Sequence, residues 1–121
     1  MKIPHTSRKK RSYRYLLEDM YDAMLRIEKY ISGTNAKDFL HNELVSDAVM
    51  RNFEVIGEAA KNIPGRFKAR YPEIPWDRMY KLRNFLAHEY FGVDLHMVWR
   101  IAKDHLPEHI RDMERILDIE S

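Results

Sequence analysis

The stretch Arg83-Asn84-Phe85-Leu86-Ala87-His88-Glu89-Tyr90 sets an arginine, an asparagine, a histidine and a tyrosine among core-forming residues. With Arg83 at 0° and an advance of about 100° per residue, Met79, Leu82, Phe85, Leu86 and Tyr90 fall between about 200° and 340° of an α-helix. Arg83, Asn84, Ala87, His88 and Phe91 fall between about 0° and 140° and make a second face. Asn84 and His88 stack there as an i, i+4 pair. Ala87 leaves a shallow spot between a permanent cation and an imidazole.

This face suits phosphodiester chemistry. Cleaving RNA without a metal requires a base for the 2′-hydroxyl, an acid for the leaving 5′-oxygen and positive charge against the phosphorane. Histidine as a residue type titrates near pH ~6.5 and can serve as either acid or base. Arginine stays charged, and its planar fork matches phosphate oxygens. One histidine with one arginine is a sparse set, which a two-fold dimer doubles by bringing two copies of the face into one cleft. The same residues also describe a helix with an ordinary polar flank, because R-x4-H is a weak pattern.

Helices must position that face. From about Tyr13 to Ser32, Leu16, Leu17, Met20, Met24, Ile27 and Ile31 recur at three- and four-residue spacing, and Gly33 stands where a C-terminal cap is expected. After a polar turn, Val45, Val49, Phe53, Ile56 and Ala60 stripe a helix from about Glu43 to Asn62, stopped by Pro64-Gly65. The proline-bearing segment up to Pro75 reads as a loop with at most a short helical turn. A third helix starts near Trp76 and holds the opening stretch, with Gly92 interrupting it. Asp94 suits the N-cap of the next helix, whose Val98, Ile101 and Ala102 face inward. Pro107 either lies in the first turn of a last helix ending near Ile119 or kinks one continuous helix. The expected fold is all-α, an up-and-down bundle of four to five helices.

Composition narrows the setting. A chain of 121 residues makes one domain, here residues 13–121 behind a basic arm over 1–12. The absence of cysteine excludes disulfides and thiolate metal sites and suits a reducing cytoplasm. No apolar run approaches a membrane span, and no apolar segment follows the basic N-terminus as in a signal peptide, so an intracellular protein is expected. Net charge is +2 but uneven: Lys2, Arg8, Lys9, Lys10, Arg11 and Arg14 all precede the first acid, Glu18. Such an arm can approach phosphates or be a solvated terminus.

Other constellations are weaker. His105 and His109 have metal-clasping spacing, but Pro107 lies between them and no third ligand is evident. Glu54 and Glu58 share a helix face, yet the Glu-x-x-His of di-iron bundles is missing, so no metal is expected. Glu58 follows Gly57 and precedes two alanines, where helices can approach closely; it is either a supporting partner for Arg83 or a solvated acid. No glycine-rich phosphate loop is present. Trp76 and Trp99 read as core or interface anchors, while Tyr13, Tyr15 and Tyr21 either stack bases or pack helices.

The segments VMRNFEVIGEAAKNIP, PEIPWDRMYKLRNFLAHEYFGVD and VWRIAKDHLPEHI together resemble the HepT-like toxins of the HEPN superfamily, over roughly residues 13–117. RNFLAHEYFGVD follows that family's R-N-x-x-A-H-x-Y-x-x-V-D pattern without a departure. The resemblance implies a HEPN-like bundle and a homodimer that cuts RNA without a metal or other cofactor. It implies catalytic roles for Arg83 and His88, with Asn84 beside them. It implies a type VII-like toxin–antitoxin pair in which a minimal nucleotidyltransferase (MNT) antitoxin transfers AMP from ATP to Tyr90. Phosphate added there would oppose RNA binding by charge and bulk. A different class of function, a non-catalytic partner or regulatory subunit of the nucleotidyltransferase, fits the same motif. The N-terminal basic extension is less characteristic of the family. Tyr90 poses a geometric condition: on a continuous helix it points about 160° from His88 towards the core. For Tyr90 to be modified, the helix must end or unwind near His88.

Overall fold

Hydrophobic stripes at helical spacing leave one physical solution, in which rods pack their apolar faces together. The structure, a computed structural model, describes the backbone of residues 5–89 and 92–121 and the side chains of residues 13–89 and 92–121. Its elements are α1 (His5–Ile31), α2 (Ala36–His41), α3 (Glu43–Asn62), α4 (Gly65–Arg70), α5 (Trp76–His88), α6 (Leu95–Arg100), a π-turn (Ile101–His105) and α7 (Leu106–Ile119). The described residues contain no strand, and the protein is an all-α bundle. α1 packs on α3 and α7, and α3 packs on α5. The pairings run antiparallel. Arg26 late in α1 reaches Asn52 in α3, Lys61 at the end of α3 lies over Tyr80 early in α5, and Arg14 early in α1 reaches Leu117 late in α7.

The core sits where the four long rods meet. Leu17, Met20, Met24 and Ile27 of α1 interlock with Val49, Phe53, Ile56 and Ala60 of α3 and with Val98, Leu106, Ile110, Met113 and Ile116. α3 runs over the expected span, Glu43–Asn62, and begins at Asn42, whose side chain accepts from the Val45 N–H at 3.1 Å. Gly33 takes φ +76° just past α1, the left-handed cap that its position in the sequence suggested. α1 begins at His5 and takes in residues 5–12 of the basic arm, where no glycine or proline interrupts.

Two differences have clear causes. The polar turn before α3 folds into α2, because Asn35 caps it and Phe39 is fully buried, tilted against Trp99 with ring centroids 5.3 Å apart. At the C-terminal end, both alternatives for Pro107 merge. α6 and α7 form one rod, and the Leu106 N–H bonds to the Ile101 carbonyl, five residues back. Proline lacks an N–H and its ring clashes with the carbonyl four residues back, so a π-turn widens the helix immediately before it.

Trp76 is a core anchor: it is buried and its Nε1 donates to the Tyr71 carbonyl at 3.0 Å. Of the aromatic cluster in α1, Tyr13 packs on Phe67 and Tyr21 bonds Glu114, while Tyr15 stays 65% exposed. Among the described residues, no helix is long and apolar enough to cross a membrane.

Candidate active site

α5 carries the site, and a glycine on α3 sets how close the two helices lie. A Cβ built on Gly57 would fall 2.3 Å from Arg83 Cβ and 2.5 Å from the Met79 carbonyl oxygen. Any larger residue must push α5 away, so Gly57 permits the contact that holds Arg83 against α3. From there the Arg83 Nε meets Glu58 Oε2 at 3.1 Å, and its Nη1 donates to Asn84 Oδ1 at 2.9 Å. Glu58 is therefore the partner of Arg83, but its side chain is 51% exposed. Exposed pairs contribute only about 0–1 kcal/mol, so a phosphate can exchange with this carboxylate at small cost.

His88 is exposed at the last turn of α5, and its Nδ1 lies 2.8 Å from the Asn84 carbonyl oxygen. A carbonyl only accepts, so Nδ1 is the donor, and Nε2 of the neutral ring is left with its lone pair. Asn84 is thus the hub: its side chain orients the guanidinium and its carbonyl sets the tautomer of the imidazole. Sequence geometry placed Arg83, Asn84 and His88 on one face, and they are brought together there. α5 ends at His88, with Glu89 as its C-cap, so the helix stops where access to Tyr90 requires it to stop. Tyr90 lies outside the described residues.

The predicted core arc of α5 is only partly buried. Leu86 is interior, whereas Met79, Leu82 and Phe85 are half-buried. The shallow spot at Ala87 is the wall of a cavity of about 440 Å³, shared by Arg83, Glu54, Glu58 and Arg51 of α3 and Asp19 of α1. Asp19, which the sequence did not single out, has its carboxyl pushed up by burial and then by the nearby Asp22 carboxylate. This end of the α3–α5 seam is mixed in charge rather than uniformly cationic.

A second residue that periodicity missed is Tyr80, one turn before Asn84 on the same face. Its phenol is held below the ordinary tyrosine range, chiefly by the nearby Asn84 side-chain amide and then by the Lys61 charge. Lys61 Nζ stands 5.4 Å from the centre of the Tyr80 ring. The i, i+4 spacing of Tyr80 from Asn84 was the signal available; an aromatic at such a position is indistinguishable from core until α3 is placed.

The weaker constellations separate. Glu54 pairs with Arg51 at 3.9 Å and Glu58 with Arg83, so the two carboxylates serve different cations. No group of three or more histidine and carboxylate side chains suited to a metal exists among the described residues. His105 and His109 instead border an apolar cavity of about 440 Å³ between α3, α5 and the π-turn, with Phe53, Ile56 and Leu82. The Nδ1 of His109 is buried without a hydrogen-bond partner, and burial pushes its pKa below the ordinary value of 6.5. A group whose folded pKa is depressed binds fewer protons folded than unfolded, so its stabilisation is complete above pH ~6.5 and is lost as pH falls below it. Acid from pH ~7 to ~5 should therefore lower the denaturant midpoint, and His109→Gln should flatten that dependence. An identical pH slope in the variant would exclude His109 as the source.

The family model described as "Ribonuclease HepT-like" matches residues 20–116, which include Arg83, Asn84 and His88. The "Probable ribonuclease HepT" of Thermococcus cleftensis is 44% identical over 98 residues, covering 81% of this chain and 89% of that protein. The "Putative RNase MJ0127" of Methanocaldococcus jannaschii is 38% identical over 112 residues, covering 92% and 93%. No solved structure gives a significant match. With four-fifths of its length inside the family model, and with Arg83, Asn84 and His88 joined on one helix face, the chain belongs to the ribonuclease HepT-like family.

Proposed function

We propose that the protein is a metal-independent endoribonuclease, the toxin of a type VII-like HEPN/MNT toxin–antitoxin pair acting in the cytoplasm. The observation that carries this reading is the state of His88: Nδ1 is committed to the Asn84 carbonyl, and the exposed ring presents Nε2. Nε2 then accepts the proton of an RNA 2′-hydroxyl as its oxygen attacks the adjacent phosphorus. Arg83 exchanges Glu58 for the phosphorane oxygens. The bond to the 5′-oxygen breaks, and that oxygen takes a proton from an imidazolium, leaving a 2′,3′-cyclic phosphate and a 5′-hydroxyl. One chain supplies one such histidine, so a homodimer sharing a cleft supplies both base and acid. The test is purified protein with single-stranded RNA in excess chelator. Products ending in 2′,3′-cyclic phosphate are expected, and intact RNA would overturn the reading.

The same proposal includes the off-switch. A nucleotidyltransferase antitoxin uses ATP to place AMP on Tyr90, beyond the end of α5, and the added phosphate competes with RNA for Arg83. Incubation with such a partner and ATP should add whole AMP units that map to Tyr90. Mapping to another residue would remove Tyr90 from the scheme. A second reading, a non-catalytic partner subunit of the nucleotidyltransferase, is favoured by one feature: Arg83 is already paired with Glu58. It predicts intact RNA in the cleavage assay.

A further inference from the structure

Charge along the seam between α3 and α5 changes with position. The cavity beside Ala87 carries Asp19, Glu54 and Glu58 against Arg51 and Arg83. Past Arg83, towards the start of α5, the surface opens into a groove of about 960 Å³ bordered by Lys61, Lys68, Arg78, Trp76 and Tyr80. Its acid is Asp77, which is occupied by Lys81 at 2.9 Å. Lys68 is anchored on the Ala60 carbonyl at 3.1 Å, which fixes its charge at the end of α3. A polyanion leaving Arg83 therefore meets an excess of carboxylates in one direction and an excess of cations in the other.

Tyr80 stands at the junction. It lies 60° from Arg83 and 40° from Asn84 around α5, at about 100° per residue, so it shares their face. Eight residues at 1.5 Å each place it about 12 Å along the axis from His88. An extended single strand covers that distance in about two nucleotides. The ring is half-buried, and Lys61 Nζ lies over it, 5.4 Å from its centre. Aromatic rings flanked by cations are the usual means of holding single-stranded RNA without reading its sequence.

We infer that the groove around Tyr80 and Lys61 is a subsite for single-stranded RNA, in which Lys61 passes from the Tyr80 ring to a phosphate and a base takes its place on the ring, about two nucleotides from the bond attacked at His88. The inference rests on the RNA reading above and adds where the strand runs: along α5 towards its N-terminal end. Substrates long enough to reach the groove gain from it, and a dinucleotide does not.

The experiment uses the full chain carrying His88→Ala, so that RNA stays intact, and fluorescence anisotropy with a single-stranded ribo-octanucleotide and a ribodinucleotide. In that background Tyr80→Ala should weaken octanucleotide binding about tenfold, while Tyr80→Phe stays within about twofold and the dinucleotide is unaffected. Lys61→Met, at an exposed position, should weaken octanucleotide binding and reduce its salt dependence by about one ion. Unfolding curves accompany each variant, and Lys61→Met decides the matter if Tyr80→Ala does not fold. Unchanged octanucleotide affinity in a folded Tyr80→Ala protein, or in Lys61→Met, overturns the subsite, as does an equal loss with both RNAs. If wild-type protein cuts RNA and these variants bind like their parent, the subsite alone falls. If the variants lose affinity as expected and wild-type protein leaves RNA intact, the cleavage reading falls and the subsite stands.

Discussion

His88→Ala is expected to slow RNA cleavage by about 10²–10⁴-fold and Arg83→Ala by about 10²–10³-fold, each with loss of growth toxicity and without loss of the fold. The first figure is the usual worth of a positioned proton-transfer group, and the second that of a fixed donor at developing negative charge. Folding should survive because His88 is exposed and Arg83 forms a partly exposed pair with Glu58, not a buried one. Arg83→Lys separates charge from geometry. Lysine keeps the cation but loses the fork that holds Asn84 Oδ1, so it should recover only part of the loss. Rates measured in chelator, beside far-ultraviolet circular dichroism of each variant, make the comparison. Both alanine variants cutting RNA at the wild-type rate would remove the site from α5.

The second large effect concerns a residue that never touches RNA. Gly57→Ala should destabilise the protein by about 1–3 kcal/mol, although alanine is about 1 kcal/mol the better helix former. The new methyl would collide with Arg83 Cβ and the Met79 carbonyl, and neither is the free end of a flexible side chain. α5 must therefore shift from α3, and Arg83, tied by Glu58 on the other helix, shifts with it. A fall in the thermal midpoint of about 5–15 °C is expected, together with a drop in cleavage larger than the folded fraction explains. An unchanged or raised midpoint would mean that the helices do not meet as closely as 2.3 Å implies.

Helix α3 and the long part of α1 were legible because their stripes repeat over many turns, and each repeated contact reinforces the same period. α2 was not, since its six residues hold Phe39 as the only buried residue and owe their order to Trp99, distant in sequence. The π-turn was half legible: Pro107 announced a disturbance, but whether it broke the rod or widened it depended on the Leu106-to-Ile101 bond. The α5 arc overstated burial, because a helical wheel gives direction and not depth. Met79 and Leu82 point inward yet border an open cavity.

For the site, sequence by itself determined the residue types, their common face and the family, because i, i+4 geometry within one helix is local and needs no partner. Tertiary structure decided the rest. That Glu58 would be the counter-ion of Arg83 depended on α3 and α5 packing at Gly57. That Tyr80 belongs with the site depended on Lys61, nineteen residues away in sequence and 5.4 Å from the ring in space. Local spacing can put charges on a surface, but only the approach of a second helix decides which are neutralised and which remain to meet a polyanion.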